Sequence, residues 1–168
     1  MTRTLYIVDG YNVLHALFRG VDKEELFARR AWLADKLADF AALKGARAVL
    51  VFDGHGPEST TSVPVKGAPL EVRFAGGSFT ADSLIARLIA SCEADVHAVV
   101  VSADKEVQRT ATRAGVSRMT PRELGVELRP ADEVLDSSSK VSTMPSRLED
   151  KVDPETLRKL EEMRNKPR

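Results

Sequence analysis

One cysteine in 168 residues, Cys92, leaves no means of building an internal disulfide framework, and a reducing, cytoplasmic setting is expected. Long apolar runs are absent too: nothing approaches the roughly 20 residues that span a bilayer. The N-terminus has neither the apolar stretch nor the small-residue cleavage site of a signal peptide, so a soluble chain with no membrane partner is expected. Net charge is missing, with 25 Lys+Arg against 25 Asp+Glu, and the bulk balance names no polyanionic partner. Aromatic residues make up only 5% of the chain, too few for base stacking to dominate any nucleic-acid contact. No internal repeat is present. What remains is a length sufficient for one domain with a real core and an appendage.

The elements take turns. Residues 4–8 and 46–52 (ARAVLVF) are short, apolar and β-branched, and read as buried strands. Between them, Leu26, Leu33, Leu37 and Phe40 recur at helical spacing over about 22–43, and Gly45 closes the helix. Residues 70–74 (LEVRF) alternate like a half-exposed or edge strand, and Gly76 and Gly77 break the pattern. TADSLIARLIASC then puts Leu84, Ile85, Leu88, Ile89 and Cys92 on one helical face. A buried strand at 97–101 follows, then a helix over about 104–114 that Gly115 ends, and VSRMTPREL supplies a short strand and a helical turn from Pro121. This alternation predicts an α/β fold, a mainly parallel sheet covered on both faces. The segment 54–69, with its Gly, Pro, Ser and Thr, reads as a loop near the site. Composition shifts after about 129, so a domain over 1–128 and a linker with a charged helical extension over 129–168 are expected. In that extension Asp153 is a cap, Pro154 opens the helix, and Leu157, Leu160 and Met163 form a thin apolar stripe.

The segment TLYIVDGYNVLH runs a buried-looking strand straight into an acid. In an open parallel sheet, ligands bind outside the carboxyl ends of the strands. Asp9 stands at that end of the first strand and Asp53, in LVFDGHG, at that end of the second. Asp104, in VVVSADKEV, follows the strand that begins at His97, and Asp82 lies in the first turn of a helix whose N-terminus faces the same rim if its crossover has the usual hand. Four carboxylates on one rim repel one another by kilocalories or force protonation. A divalent cation resolves that conflict, and oxygen ligands suit Mg²⁺ or Mn²⁺, with Asp9, Asp82 and Asp104 as the expected ligands. Such an ion serves phosphodiester hydrolysis. Asn12 and Ser102 are placed to hold a carboxylate or a phosphate by hydrogen bonding.

Plainer explanations stand beside each residue. Asp9 and Asp53 precede Gly, and Asp-Gly is a common turn dipeptide. Thr80 reads as an N-cap, and an acid two positions later is favoured by the helix dipole at about 0.3–1 kcal/mol without any catalytic role. Asp104 fits a cap for the helix after it. Coincidence of location is what favours a shared site.

IVDGYNVLH, LVFDGHG, TADSLI and VVVSADKEVQ occur in the order and spacing of the NYN branch of PIN-like nucleases, and the chain resembles its YacP-like, ribosome-associated endoribonuclease group over residues 4–128. The resemblance implies a PIN-like three-layer sandwich, a divalent metal held by clustered acids, and endonucleolytic cleavage of RNA, with ribosome-associated mRNA as substrate. Carried over by motif, Asp9, Asp53, Asp82 and Asp104 are the acidic cluster, supported by Asn12 and Ser102. It does not reach the extension.

RNA also needs its phosphates held. Lys105, Arg109 and Arg113 recur every four residues on the helix after the third site strand, either as a nucleic-acid track or as a solvated face with Glu106 nearby. Arg19, Arg73 and Arg87 are further basic candidates, and Tyr11 and Phe79 the aromatic residues that flank the site. His55 sits in the DGHG loop, but a loop histidine without a role is the simpler reading; His15 and His97 carry no site signal. Two other readings remain: a non-catalytic RNA- or ribosome-binding module on the same fold, and a phosphoacceptor domain using Asp9, Asp53 and Lys105, in which Asp82 has no place.

Overall fold

The computed structural model describes residues 2–54, 60–138 and 158–159. In chain order they form β1 (Arg3–Asp9), α1 (Gly10–Leu17), α2 (Lys23–Leu43), β2 (Arg47–Asp53), β3 (Thr61–Pro64), β4 (Leu70–Ala75), α3 (Ala81–Ala90), β5 (Val96–Val101), α4 (Lys105–Arg113), β6 (Ser117–Met119) and α5 (Pro121–Ser138). The sheet runs β3-β4-β2-β1-β5-β6, parallel throughout except where β3 pairs antiparallel to β4. Strand order therefore reverses at β1, between β2 on one side and β5 on the other.

Successive strand residues point to opposite faces, and both faces are covered. Val8, Leu50 and Phe52 pack under α1, α2 and α5 through Leu14, Leu33, Leu37 and Leu124. Their neighbours Ile7, Val49 and Val51 pack under α3 and α4 through Ile85, Leu88, Val107 and Ala111. The result is the expected three-layer α/β sandwich. The caps follow the sequence: Asp22 accepts from the Glu25 amide at 2.8 Å to start α2, and Thr80 with Ser83 forms a capping box at α3.

Three readings change, and one helix is added. The predicted loop over 54–69 contains β3, and β3 rather than β4 is the edge; its four residues are too few, and too polar, to show a strand period. YNVLH belongs to α1, which starts directly at Gly10 with Val13 and Leu14 buried one turn on. The helical turn from Pro121 is an 18-residue helix that crosses the composition shift at 128/129, anchored by buried Leu124 and Leu128. Neither Asp-Gly is a turn of the left-handed kind, since the positive-φ glycines lie elsewhere. Both are close approaches instead: a Cβ on Gly10 would stand 2.3 Å from the Phe52 ring, and one on Gly54 2.1 Å from the Ala75 carbonyl oxygen. His55 and, apart from residues 158 and 159, the predicted C-terminal helix fall outside the described residues.

Gly54 donates its amide to that same Ala75 oxygen at 2.6 Å, tying the ends of β2 and β4 together beside Asp53. Backbone cannot yield as a side chain does, so Gly54→Ala is expected to cost about 2–3 kcal/mol in urea unfolding and to lower the midpoint without changing the slope. An unchanged midpoint would show that the β2 end relaxes freely.

Candidate functional site

Strand order reverses at β1, and the carboxyl ends of β1 and β5 there are where an open parallel sheet receives a ligand. Asp9 ends β1 and is only 7% exposed. Ser102, buried just past β5, donates its hydroxyl to Asp9 Oδ2 at 3.2 Å and accepts the Asp104 amide at 3.0 Å. Asn12, in the first turn of α1, accepts the Ala103 amide on Oδ1 at 2.6 Å. These bonds staple the β1–α1 junction to the β5–α4 junction, positions 91 to 93 residues apart in sequence. Asn12 is thereby committed to backbone, and Ser102 to a carboxylate.

Asp53 ends β2 and accepts the Ala81 amide on Oδ1 at 2.7 Å, so it sits against the N-terminus of α3. Asp104 is the N-cap of α4, with Oδ1 accepting from the Glu106 and Val107 amides at 2.8 and 3.2 Å. Asp82 is exposed in the first turn of α3. The acids feel one another. Burial pushes Asp9 up to about 6, helped by the charges of Asp82 and Asp53 and opposed by the Ser102 bond and the Asn12 amide. Asp82 is raised as well, by desolvation first and then by the charges of Asp104 and Asp53. A further balance is visible in sequence for one acid only: Asp104 caps α4 as its position suggested, and Asp53, unforeseen, meets the N-terminus of α3, where amide dipoles likewise favour an anion. Part of the crowding is thus relieved without a cation.

The donor set is oxygen only, which fits a hard dication that keeps several waters. Among the described residues, no three carboxylate, imidazole or thiol groups stand close enough to enclose an ion. Asp9 and Asp82 are the two acids of the cluster whose pKa is raised, and water-bridged binding between them suits Mg²⁺ better than a closed cage would.

The other candidates divide. Lys105, Arg109 and Arg113 are exposed on α4 and line one groove, with Arg109 held by Glu106 at 2.6 Å. Arg73 is engaged by Glu71 at 2.5 Å, and the Arg87 guanidinium lies 4.5 Å over the Phe79 ring. Phe79 is 37% exposed. Tyr11 is packed edge-on against Phe52 and Phe27 and is not a free stacking surface.

Tyr11 leads to a residue that the sequence reading missed. Its hydroxyl accepts from Arg30 Nη1 at 3.1 Å, and Arg30, 1% exposed, also donates Nε to the Phe27 carbonyl at 3.2 Å with its guanidinium 4.4 Å over the Phe27 ring. Burial lowers its pKa, against the Tyr11 hydroxyl. The signal was available: Arg30 lies on the stripe of Leu26, Leu33, Leu37 and Phe40, where a charge is out of place unless something inside receives it.

Among the described residues no helix is long and apolar enough to cross a membrane. No curated protein matches the sequence. The fold superposes on crystal structures of Rae1 (YacP) from Bacillus subtilis, with TM-score 0.66 and 25% identity over 81% of this chain and 79% of that one. A mutant of the same protein superposes with TM-score 0.65 at 23% identity, covering 94% and 98%. The model of the YacP-like NYN domain matches residues 6–165, well past the 128 at which the sequence resemblance stopped. Fold and family together give a nuclease-type, RNA-related protein. A match that takes in all of the sheet but the first three residues of β1, and all four acids, shows the family, and this chain belongs to the YacP-like NYN domain family.

Proposed function

We propose that the protein is a metal-dependent endoribonuclease that hydrolyses RNA phosphodiester bonds. Its acidic cluster is Asp9, Asp53, Asp82 and Asp104, and Asp9, Asp82 and Asp104 are the residues to hold Mg²⁺ or Mn²⁺. The observation that carries this reading is Asp9: a carboxyl buried at the reversal point of the sheet, held at Oδ2 by Ser102 and raised to about 6 partly by two neighbouring acids. Burying a carboxylate there costs stability, and a bound dication would offset that cost. When bound, a divalent ion supplies charge neutralisation and lowers the pKa of a water for attack on phosphorus. The chain's own contribution is orientation. Ser102 fixes the Asp9 carboxylate, Asn12 locks the two junctions together, and the α1, α3 and α4 N-termini supply positive potential at the rim. Ribosome-associated mRNA as the substrate, and a cytoplasmic setting, rest on the family likeness and the single cysteine.

A non-catalytic RNA- or ribosome-binding module is the second reading. It is favoured by the use of Asp53 and Asp104 as helix-end partners and by the lack of a three-acid cage among the described residues. Labelled RNA separates the two. With Mn²⁺ or Mg²⁺ the protein is expected to yield internal cuts bearing 5′-phosphates, also at a 2′-deoxy position, because water rather than the 2′-hydroxyl attacks; EDTA should stop it. Retained RNA with no products in either metal favours the module.

A further inference from the structure

The groove beside the acidic rim contains a cation that the helical spacing of α4 could not reveal. Lys105, Gln108, Arg109, Thr112 and Arg113 form its helix wall, and Arg118 of the edge strand β6 closes it from the other side, around about 320 Å³. Lys105, the residue after Asp104, is the lining residue next to the rim, and from Lys105 to Arg113 the helix wall extends about 12 Å at 1.5 Å per residue. Lys105, Arg113 and Arg118 have no carboxylate partner among the described residues, and Arg109 shares its charge with the exposed Glu106. A solvated helix face needs no facing arginine from a neighbouring strand. The groove floor is tied to the site, since Gln108 donates its side-chain amide to the Ser102 carbonyl at 2.9 Å.

We propose that the α4–β6 groove grips the sugar–phosphate backbone of a single RNA strand, carrying one flank of the strand away from the acidic rim between the α4 row of Lys105, Arg109 and Arg113 and the facing Arg118. The strand's identity as substrate rests on the nuclease reading above; the grip itself does not. Three features fix the class of ligand. Three cations along α4 with a fourth facing them match a polyanion, and about 12 Å spans several phosphates at the ~3.4 Å rise of a stacked strand. No aromatic or large apolar side chain lines the groove, so bases are not read there. One helix and one strand edge leave room for one backbone, whereas a duplex would touch the groove only along its rim.

Binding of a labelled 16-nucleotide single-stranded RNA by the full chain in EDTA tests the grip without cleavage. Arg113→Glu and Arg118→Glu should each weaken it about tenfold and lower the slope of log affinity against log salt by about 0.7–1. Arg47→Glu, the same charge change at the start of β2 and outside the groove lining, should shift affinity no more than about twofold. Equal losses in all three variants would reduce the effect to bulk charge and overturn the proposal, as would wild-type binding by Arg118→Glu. In Mn²⁺, Arg118→Glu should raise KM for the 16-mer about tenfold more than for a tetranucleotide. Wild-type protein that cleaves neither RNA while the groove variants lose binding would sink the nuclease reading and support the groove; cleavage with equal KM effects on both lengths would do the reverse.

Discussion

Replacing Asp9 by Asn is expected to slow RNA cleavage in Mg²⁺ or Mn²⁺ by about 10³-fold, a loss of ~4 kcal/mol in transition-state stabilisation. The substitution keeps the size of the side chain and an oxygen for the Ser102 hydroxyl, which donates to Oδ2 at 3.2 Å. What it removes is the charge that would meet a dication. Asp82→Asn should lose a similar amount, because Asp82 is exposed and none of its carboxylate bonds hold the fold together. Asp53→Asn is a different experiment: Asp53 anchors the Ala81 amide at the head of α3, so part of any loss there is displacement of that helix. Initial rates on one labelled RNA, with circular dichroism to confirm folding, give the comparison. Cleavage by Asp9→Asn and Asp82→Asn at the wild-type rate would remove the acids from the chemistry and leave the binding-module reading in place.

Most of the sheet was legible because buried parallel strands advertise themselves as short apolar runs, and β1, β2 and β5 do so at Leu5–Val8, Ala48–Phe52 and Ala98–Val101. β3 was not legible: its residues Thr61–Pro64 owe their strand to pairing with β4 rather than to any period of their own. α1 was hidden because its N-cap, Asp9, is also the last residue of β1, so strand and helix follow with no connecting loop and the Asp-Gly reads as a turn. Gathering of the acids could be argued from strand ends alone, since topology puts β1, β2 and β5 side by side. Their partners could be read only in part. Asp104 as the cap of α4 is a local signal, but that Asp53 serves the α3 amide depends on crossover geometry, which sequence spacing does not encode. The same holds for Arg118, which faces α4 only because β6 pairs parallel to β5. Arg30 is the opposite case, written plainly in the α2 stripe as a charge among leucines.

Asp9→Asn should also make the metal-free protein more stable at neutral pH, by an amount that disappears in acid. The folded state holds the Asp9 proton with a pKa of about 6, against 3.8 for an ordinary aspartate, chiefly because the carboxyl is buried. A raised carboxyl pKa means that the folded chain binds the proton more tightly than the unfolded one, so stability falls as pH rises between those two values and the full cost is present above about 6. A displacement of that size corresponds to at most about 3 kcal/mol. Asparagine carries no charge at any of these pH values. In EDTA its melting temperature should therefore exceed that of the wild type by about 5 °C at pH 7.5 and match it below pH 4. Mg²⁺ or Mn²⁺ at about 100 times its dissociation constant should then stabilise the wild type by about 2.7 kcal/mol and the variant much less, reversing the order of the two melting curves. Melting in EDTA at pH 7.5 with the wild type equal or superior would mean that the Asp9 charge is already balanced by Ser102 and the α1 amides, and that no cation is needed to hold it there.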